Sequence, residues 1–244
     1  MGMPLVSKDE GISRGAGGHI DRAEYRPRCH SCRRPRAFCY CARIQTIDSE
    51  IRFVILTQPR EAKHSFGTGR MAHLSLRNSL LVEGVDFSAN ERIHGELHGS
   101  QCFPGLLYPG KDSVNLSRQS PEERMTFAPA GRRFIVFVLD GTWKSARKML
   151  RLSPNVANLP RICFEPPSPS GYRIRRQPKV HCYATIEAIH MSWICSRRTG
   201  RLDPLMTTFL RCFVRSSIAN SPMGAEAPPS CSFAQKPQNP NVIR

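Results

Sequence analysis

Four cysteines near the beginning of the chain have the residue type and spacing of a metal site. They form the pattern C-x2-C-x6-C-x-C and are Cys29, Cys32, Cys39 and Cys41. Four thiolates in so short a span fit one tetrahedral Zn²⁺, and the metal would supply the folding energy of a segment too small to bury a core. We therefore predict a structural zinc knuckle over residues 25–44. Local disulfides, a redox CxxC pair and unpaired cysteines are the alternatives, although no predicted strand precedes Cys29 as one usually does in a thioredoxin-like redox motif.

A second candidate site follows the strongest predicted strand, residues 133–139. Asp140, Gly141, Thr142 and Trp143 come directly after it and precede a helical pattern over residues 144–152. A carboxylate at the end of a buried strand can take a proton or hold a substrate group, and Thr142 is placed to cap the helix. Asp140 as a simple helix cap and Trp143 as a core residue are the alternatives.

The predicted elements around these sites alternate between strands and helices. Runs of branched residues predict strands at 51–57, 80–85, 105–108, 133–139 and 161–164, and helical periodicity predicts helices at 68–78, 144–152, 184–195 and 204–217. This order indicates an α/β domain with a mainly parallel sheet, helices on both faces and the site at the carboxyl ends of the strands. We expect this domain over residues 45–217 and disordered tails at residues 1–24 and 218–244.

The charge of the chain points to a polyanionic partner. Lys and Arg number 36 against 19 Asp and Glu, which gives a net charge of +17. Such an imbalance attracts nucleic acid, and the arginines around the cysteines suit phosphate contacts: Arg26, Arg28, Arg33, Arg34 and Arg36. A basic protein without a polyanionic partner, its arginines forming only a solvated surface, is the alternative.

The sequence also indicates a location. The first residues contain no apolar stretch typical of a secretion signal, and no run approaches 18 apolar residues, so we expect a cytoplasmic protein without a membrane partner. In that reducing compartment the ten cysteines are expected to be thiols or metal ligands. The sequence does not indicate the oligomeric state.

Several segments together resemble one known family. The Asp140-Gly141-Thr142-Trp143 tetrapeptide looks like the DxTW signature of the DTW-domain proteins, which are RNA-modifying relatives of the SPOUT class. The cysteine knuckle upstream of the first strand agrees with that family. Three further segments are similar to its HPxE…TGR, LYPG and [ST]TxEA motifs, namely residues 58–70, 107–110 and 184–188. The chain departs from the family at Gln58, where His is common, and at Phe66-Gly67, where many members have a polar residue and Asn.

The resemblance implies a reaction. It implies a SPOUT-like fold and transfer of the 3-amino-3-carboxypropyl group of S-adenosylmethionine to N3 of a uridine in tRNA, with methylthioadenosine released. The enzyme must then present the methylene carbon on the sulfonium to N3 and accept the N3 proton. Asp140 is the candidate to hold the uridine or take that proton, and binding the donor's amino group is its competing role. Thr142 and Trp143 complete the catalytic set, with Trp143 either stacking a base or bracing the loop.

The resemblance also assigns binding residues. The donor pocket is expected to involve Tyr108, Pro109, Gly110, Leu139, Gly141, Thr185 and Glu187, with Thr185 capping its helix and Glu187 binding amino or ribose hydroxyl groups. RNA phosphates are assigned to six cationic residues: Arg70, Arg147, Lys148, Arg173, Arg175 and Arg176. A solvated charged face is the alternative for each of these six.

Three competing functions remain open from the sequence. The same fold could transfer a methyl group, as many SPOUT-class relatives do, and would then release S-adenosylhomocysteine. The protein could instead bind RNA through the zinc knuckle without catalysis. The same transfer could also act on ribosomal RNA, because a basic surface contacts phosphates and does not identify the sequence.

Overall fold

A computed structural model describes residues 27–172 and 182–196 of the 244-residue chain. The predicted helix at 204–217, both predicted tails and the basic residues Arg173, Arg175 and Arg176 lie outside these ranges. Along the described part of the chain, no helix combines the length and apolar character that crossing a bilayer requires.

The centre of the fold is a six-stranded sheet in which every pairing is parallel. Its strands are β1 (Arg52–Thr57), β2 (Leu80–Glu83), β3 (Cys102–Leu107), β4 (Val114–Asn115), β5 (Arg133–Asp140) and β6 (Arg161–Cys163). They lie in the order β2-β1-β5-β3-β6-β4. The neighbouring internal strands β1 and β5 are mostly buried, which explains why both read as continuous apolar runs. The predicted parallel α/β sheet is confirmed.

Seven α-helices connect and cover the sheet in the described ranges. They are α1 (Pro59–Ala62), α2 (Thr68–Ser75), α3 (Glu91–His98), α4 (Pro121–Thr126), α5 (Trp143–Leu152), α6 (Pro154–Ala157) and α7 (Thr185–Ser196). The sequence did not predict α1, α3, α4, α6 or the short strand β4. The predicted helix at 68–78 ends earlier, at Ser75, and the one at 184–195 begins at Thr185.

Alternating residues of β1 and β5 build two cores, one on each face of the sheet. On one face, Phe53 and Val136 pack with side chains of α2 and α7, and on the other, Val54 and Phe137 pack with side chains of α3, α5 and α6. The helices that follow β1 and β5 therefore lie on opposite faces. In parallel sheets a crevice forms at the carboxyl ends of such a strand pair, and this crevice is the usual place for a ligand.

The cysteine segment packs on the sheet domain. Cys32 and Tyr40 belong to the same core as α2 and α7 and are both nearly inaccessible to solvent. Its backbone folds on itself through a bridge between Arg28 and Pro35, with short 3-10 helices at Arg36–Phe38 and Cys41–Arg43. The knuckle and the cleft described below are therefore parts of one packed structure.

Candidate active site and metal centre

Asp140 is the last residue of β5 and lies beside Thr57, the last residue of β1. Its side chain is only 2% exposed. The carboxylate oxygen Oδ1 accepts a 2.6 Å hydrogen bond from the Thr185 hydroxyl at the start of α7. The backbone oxygen of Asp140 accepts a hydrogen bond from the Gln58 amide, which fixes the strand end against the β1 loop. The carboxylate is thus held in one orientation at the crevice between β1 and β5.

Helix α2 brings its first turn against the same carboxylate. A Cβ atom added to Gly69 would lie 2.5 Å from Asp140 Cγ and 2.9 Å from Oδ1, well inside van der Waals contact. Only glycine leaves room for Asp140 here. The partial positive charge of a helix N-terminus favours a carboxylate at this place, in addition to the hydrogen bond from Thr185.

A cleft of about 980 Å³ opens above Asp140. This volume lies at the upper end of the range typical of small-molecule sites, about 300–1,000 Å³. Its walls come from the ends of β3, β5 and β6 and from the first turn of α7. Of the residues predicted for catalysis and donor binding, the cleft is lined by Tyr108, Pro109, Leu139, Asp140, Gly141, Thr142, Trp143 and Thr185. The two that do not line it are Gly110 and Glu187.

Thr142 and Trp143 open helix α5 as the sequence predicts. The Thr142 hydroxyl oxygen accepts a 3.2 Å hydrogen bond from the Ser145 amide and so caps the helix. The Trp143 indole N–H donates to the Cys182 sulfur at 3.2 Å, and its ring meets the Tyr108 ring edge-on with centroids 5.8 Å apart. These contacts brace the loop, while the Trp143 side chain stays 41% exposed and faces the cleft.

The Glu187 side chain makes its hydrogen bonds within the fold. Its carboxylate is buried and accepts hydrogen bonds from the Ser170 hydroxyl and from the amides of Gly171 and Ala184, all between 2.7 and 2.8 Å. It therefore joins the segment before residue 173 to the start of α7 and does not face the cleft. Thr185, the first residue of α7, donates its hydroxyl hydrogen to Asp140, a contact that the sequence did not indicate.

The predicted RNA-binding residues separate into two groups. Arg147 and Lys148 are exposed on α5, and Arg147 reaches the rim of the cleft together with Lys144. Arg70 is only 7% exposed and forms a 2.7 Å ion pair with Glu83, so little of its side chain faces solvent where an RNA phosphate would bind. Burial of its guanidinium lowers the pKa of Arg70, and the pairing with Glu83 opposes that effect.

The four predicted metal ligands come together at one point. Their sulfur atoms all lie within 4.8 Å of one another, with Cys29 and Cys41 3.7 Å apart and Cys32 and Cys39 3.8 Å apart. Zn–S bonds of about 2.3 Å in a tetrahedron place sulfurs about 3.8 Å apart, whereas a disulfide requires about 2.05 Å. The arrangement fits a zinc site made of four cysteines and excludes disulfides between these pairs.

The thiols of the cluster shift one another's pKa because they lie so close together. The hydrogen bond from Cys41 lowers the pKa of Cys32 to about 5, against the effect of burial. Burial raises the pKa of Cys39 to about 11, and the hydrogen bond to Cys32 raises that of Cys41 further. Cys39 and Cys41 therefore do not ionise near neutral pH beside a charged Cys32 unless a cation compensates the charge, which Zn²⁺ would do.

Two arginines of the knuckle attach it to the sheet domain. Arg33 has a φ of +59° and forms a 2.8 Å ion pair with Glu83 at the end of β2. Arg34 is 4% exposed, and its guanidinium carbon lies 4.6 Å from the centre of the Phe66 ring, which lines the cleft. The backbone oxygen of Phe66 in turn accepts a hydrogen bond from the Tyr172 hydroxyl. The knuckle thus supports one wall of the cleft.

A comparison with known protein families identifies the family that has these features. A family profile described as the DTW domain matches residues 26–217, which includes the knuckle, the sheet and α7. The chain belongs to the DTW-domain family. Its DxTW signature is the Asp140–Trp143 turn at the floor of the cleft, and its TxEA segment supplies both the Thr185 hydroxyl and the Glu187 carboxylate.

Several curated proteins are similar to this DTW-domain chain. It is 31% identical over 179 residues to tRNA-uridine aminocarboxypropyltransferase 2 of Drosophila melanogaster, covering 70% of this chain and 67% of the relative. It is 28% identical over 202 residues to tRNA-uridine aminocarboxypropyltransferase A of Arabidopsis thaliana, covering 72% of each. It is 26% identical over 179 residues to tRNA-uridine aminocarboxypropyltransferase 2 of Mus musculus, covering 69% of this chain and 56% of the relative. No solved structure matches the chain.

Three residues that shape this DTW-domain site were not identified from the sequence. Gly69 and Arg34 affect the site through close packing, and Cys182 through its contact with Trp143. A glycine in the first turn of a predicted helix was a usable signal for Gly69, because glycine weakens a helix unless close packing requires it. The other two carry no local signal. At the two departures from the family pattern, Gln58 caps α1 with its side chain and Phe66 forms part of the cleft wall.

Proposed function

We propose that this chain transfers the 3-amino-3-carboxypropyl group of S-adenosylmethionine to N3 of a uridine in tRNA and releases methylthioadenosine. The observation that carries the proposal is the Asp140 carboxylate, held by Thr185 at the floor of a large cleft in a DTW domain. The names of the similar proteins and the net charge of +17 support the same substrate and reaction.

The cleft is suited to S-adenosylmethionine together with a nucleobase. Its volume of about 980 Å³ is large for a single small ligand, and its walls carry aromatic rings suited to adenine and uracil: Phe66, Tyr108, Trp143, Phe164, Tyr172 and Tyr183. We assign the adenosine and methionine of the donor to the side formed by Tyr108, Pro109 and Leu139. Gly141 would allow close approach of the backbone, while Gly110, which does not line the cleft, lies in a turn closed by hydrogen bonds with the Ser113 hydroxyl.

The reaction is a nucleophilic substitution at the methylene carbon of the aminocarboxypropyl group, the carbon by which that group is bound to the sulfonium. The N3 atom of uracil loses its proton and forms a bond with that carbon, while the carbon–sulfur bond breaks and its electron pair makes methylthioadenosine neutral. The protein must orient this carbon, and not the methyl group, toward N3. We assign acceptance of the N3 proton to Asp140, the orientation of its carboxylate to Thr185, and the shape of the loop to Thr142 and Trp143.

The phosphates of the RNA would meet the exposed side of α5. Arg147 and Lys148 are exposed there, and Lys144 lies beside them at the rim. The residues Arg173, Arg175 and Arg176 remain proposed contacts from the sequence alone. Zn²⁺ would be held by Cys29, Cys32, Cys39 and Cys41 and would supply structural stability to the knuckle.

The experiment is nucleoside mass spectrometry of bulk tRNA after incubation with the zinc-loaded protein and S-adenosylmethionine. The proposal expects uridine carrying the aminocarboxypropyl mass, with methylthioadenosine in equal amount. Asp140→Asn removes the proton acceptor and keeps the size, so it should reduce kcat by about 100-fold or more. If Asp140→Asn mainly raises the KM for S-adenosylmethionine, Asp140 binds the amino group of the donor and the assigned role is wrong.

The competing reactions give different products. A methyltransferase would release S-adenosylhomocysteine and leave a methyl mass on the RNA. A protein that only binds RNA would retain tRNA affinity in Asp140→Ala and yield neither product. Ribosomal RNA incubated in parallel distinguishes the two RNA substrates. If ribosomal RNA alone gains the aminocarboxypropyl group, the proposed reaction stands and tRNA is rejected as the substrate.

A further inference from the structure

Phe38 is an aromatic side chain of the knuckle that the folded core does not use. It is 52% exposed, and only Trp143 is comparably exposed among the large hydrophobic residues of the described ranges. It ends the 3-10 helix Arg36–Phe38, in a segment whose neighbours Cys39 and Tyr40 are a predicted metal ligand and a buried core residue. A large ring on such a fixed segment, facing solvent, suits contact with a partner more than packing.

Arg34 connects Phe38 with the cleft. Its guanidinium carbon lies 5.9 Å from the centre of the Phe38 ring and 4.6 Å from that of the Phe66 ring, which lines the cleft. The two ring centres are therefore at most about 11 Å apart. Its Nε is buried without a hydrogen-bond partner, so contact with aromatic rings is its main interaction in the described structure. Phe38 thus lies within one or two nucleotides of the cleft wall that Phe66 forms.

The positive charge of the knuckle indicates what kind of partner Phe38 would contact. The knuckle, residues 25–44, contains six arginines and no Asp or Glu. Three of them are exposed and make no ion pair within the described ranges: Arg28, Arg36 and Arg43. An exposed aromatic ring on a short segment that also carries exposed arginines is the combination that single-stranded nucleic acid requires, with stacking for the base and positive charge for the phosphates.

We propose that Phe38 stacks on an unpaired nucleotide of the RNA next to the target uridine, while Arg28, Arg36 and Arg43 contact the flanking phosphates. The knuckle then positions the substrate in addition to stabilising the fold. This inference rests on the proposed function for the identity of the partner as RNA. In this arrangement the knuckle binds the RNA without recognising its sequence, and the cleft binds the base that reacts.

The first test measures tRNA affinity of the full-length zinc-loaded protein by fluorescence anisotropy. Stacking by an aromatic side chain corresponds to about 5-fold to 150-fold in affinity, so Phe38→Ala should weaken binding within that range. Phe38→Trp should restore binding, whereas Phe38→Leu, which keeps an apolar side chain against Arg34, should remain weak. Zinc content and Tm of each variant show whether the knuckle is folded.

A second test locates the contact directly. tRNA in which uridines are replaced by 5-iodouridine should crosslink on irradiation to the tryptic peptide of residues 37–43, with the modified residue at Phe38. Replacing Arg28, Arg36 or Arg43 singly with Gln should lower the slope of log affinity against log salt by about one for each phosphate that is no longer bound. Lys111→Gln, an exposed charge outside the knuckle, is the matched control and should leave crosslinking at Phe38 unchanged.

The outcomes separate this inference from the proposed function. Weak binding by folded Phe38→Ala without any aminocarboxypropyl product in the wild type would support the stacking contact and reject the reaction. Normal binding and KM in Phe38→Ala, in a protein that does modify tRNA, would overturn the stacking contact and leave the reaction intact. Wild-type affinity in Phe38→Leu would also overturn it, because the contact would then be apolar packing, as on a protein partner.

Discussion

The Thr185 hydroxyl donates a 2.6 Å hydrogen bond to Asp140, across 45 residues of sequence, and so joins the start of α7 to the carboxyl end of β5. Thr185→Val keeps the shape of the side chain and removes the donor, which leaves a buried carboxylate oxygen without this partner at a cost of about 1–3 kcal/mol. We expect lower stability and a fall in kcat, both largely restored in Thr185→Ser. Thermal unfolding and transfer rates check this, and equal rates for the Val and Ser variants would contradict it.

The packing of Gly69 against Asp140 predicts a selective loss of activity. In Gly69→Ala the new methyl group displaces the carboxylate, and a shift of about 1 Å in a reacting group costs about 100-fold in rate. Gly95→Ala in α3 is the matched control, because its added Cβ meets nothing within 4 Å. That variant should gain about 0.5–1 kcal/mol of stability with unchanged activity. Rates and unfolding curves of the two variants measure the difference, and wild-type activity in Gly69→Ala would refute the assigned contact.

Removal of zinc should loosen the knuckle and the cleft wall together. Cys39→Ser breaks the ligand set, and we expect loss of the one bound Zn²⁺ and of about 3 kcal/mol, which lowers Tm by about 6–12 °C. Cys102→Ser, outside the cluster, should keep its zinc. Elemental analysis and thermal unfolding measure both variants. Full zinc content in Cys39→Ser would show that the metal site is assigned incorrectly.

His73 predicts a pH dependence of stability. Burial, with the nearby charges of Arg70 and Arg92, lowers its pKa from 6.5 to about 4, so the folded protein keeps it neutral while the unfolded chain takes up a proton near pH 6.5. The contribution of His73 to the free energy of unfolding is therefore complete above pH 6.5. It falls as the pH is lowered toward 4, by about 3 kcal/mol in total.

The measurement compares denaturant unfolding of the wild type and His73→Asn between pH 7 and pH 4. Asn can keep the hydrogen bond that His73 Nδ1 shares with Ser79 but does not titrate. Since the acidic groups titrate in both proteins, the difference between the two curves isolates His73. A difference that stays constant over this range would show that His73 is not buried in its neutral form.

The sequence predicted those elements of the fold that are determined by the pattern of neighbouring residues. The strands at β1 and β5 are long branched runs, and Thr142 caps α5 as its position indicates. Helix α4 was missed although Ser120 and Glu123 form a capping box that can be read from the chain. Helix α3 gave a weaker signal, because Ile93 is its one buried residue.

Long-range relationships could not be predicted from local patterns. The insertion of β5 between β1 and β3 depends on the packing of the whole sheet. Arg70 and Glu187 are charged residues in motifs, which suggested ligand contacts, but Arg70 is paired with Glu83 and Glu187 holds backbone amides. A buried charge needs such partners, and only the fold shows which ones it has.

The most direct test of the proposed transfer uses two preparations of S-adenosylmethionine, one labelled in the carboxyl carbon and one in the methyl carbon. Each is incubated with tRNA and the zinc-loaded protein, and the label retained on the RNA is measured. We predict that tRNA gains the carboxyl label and no methyl label, and that Asp140→Asn slows the gain by about 100-fold or more. Methyl label on the RNA, without carboxyl label, would contradict aminocarboxypropyl transfer and establish a methyltransferase on the same fold.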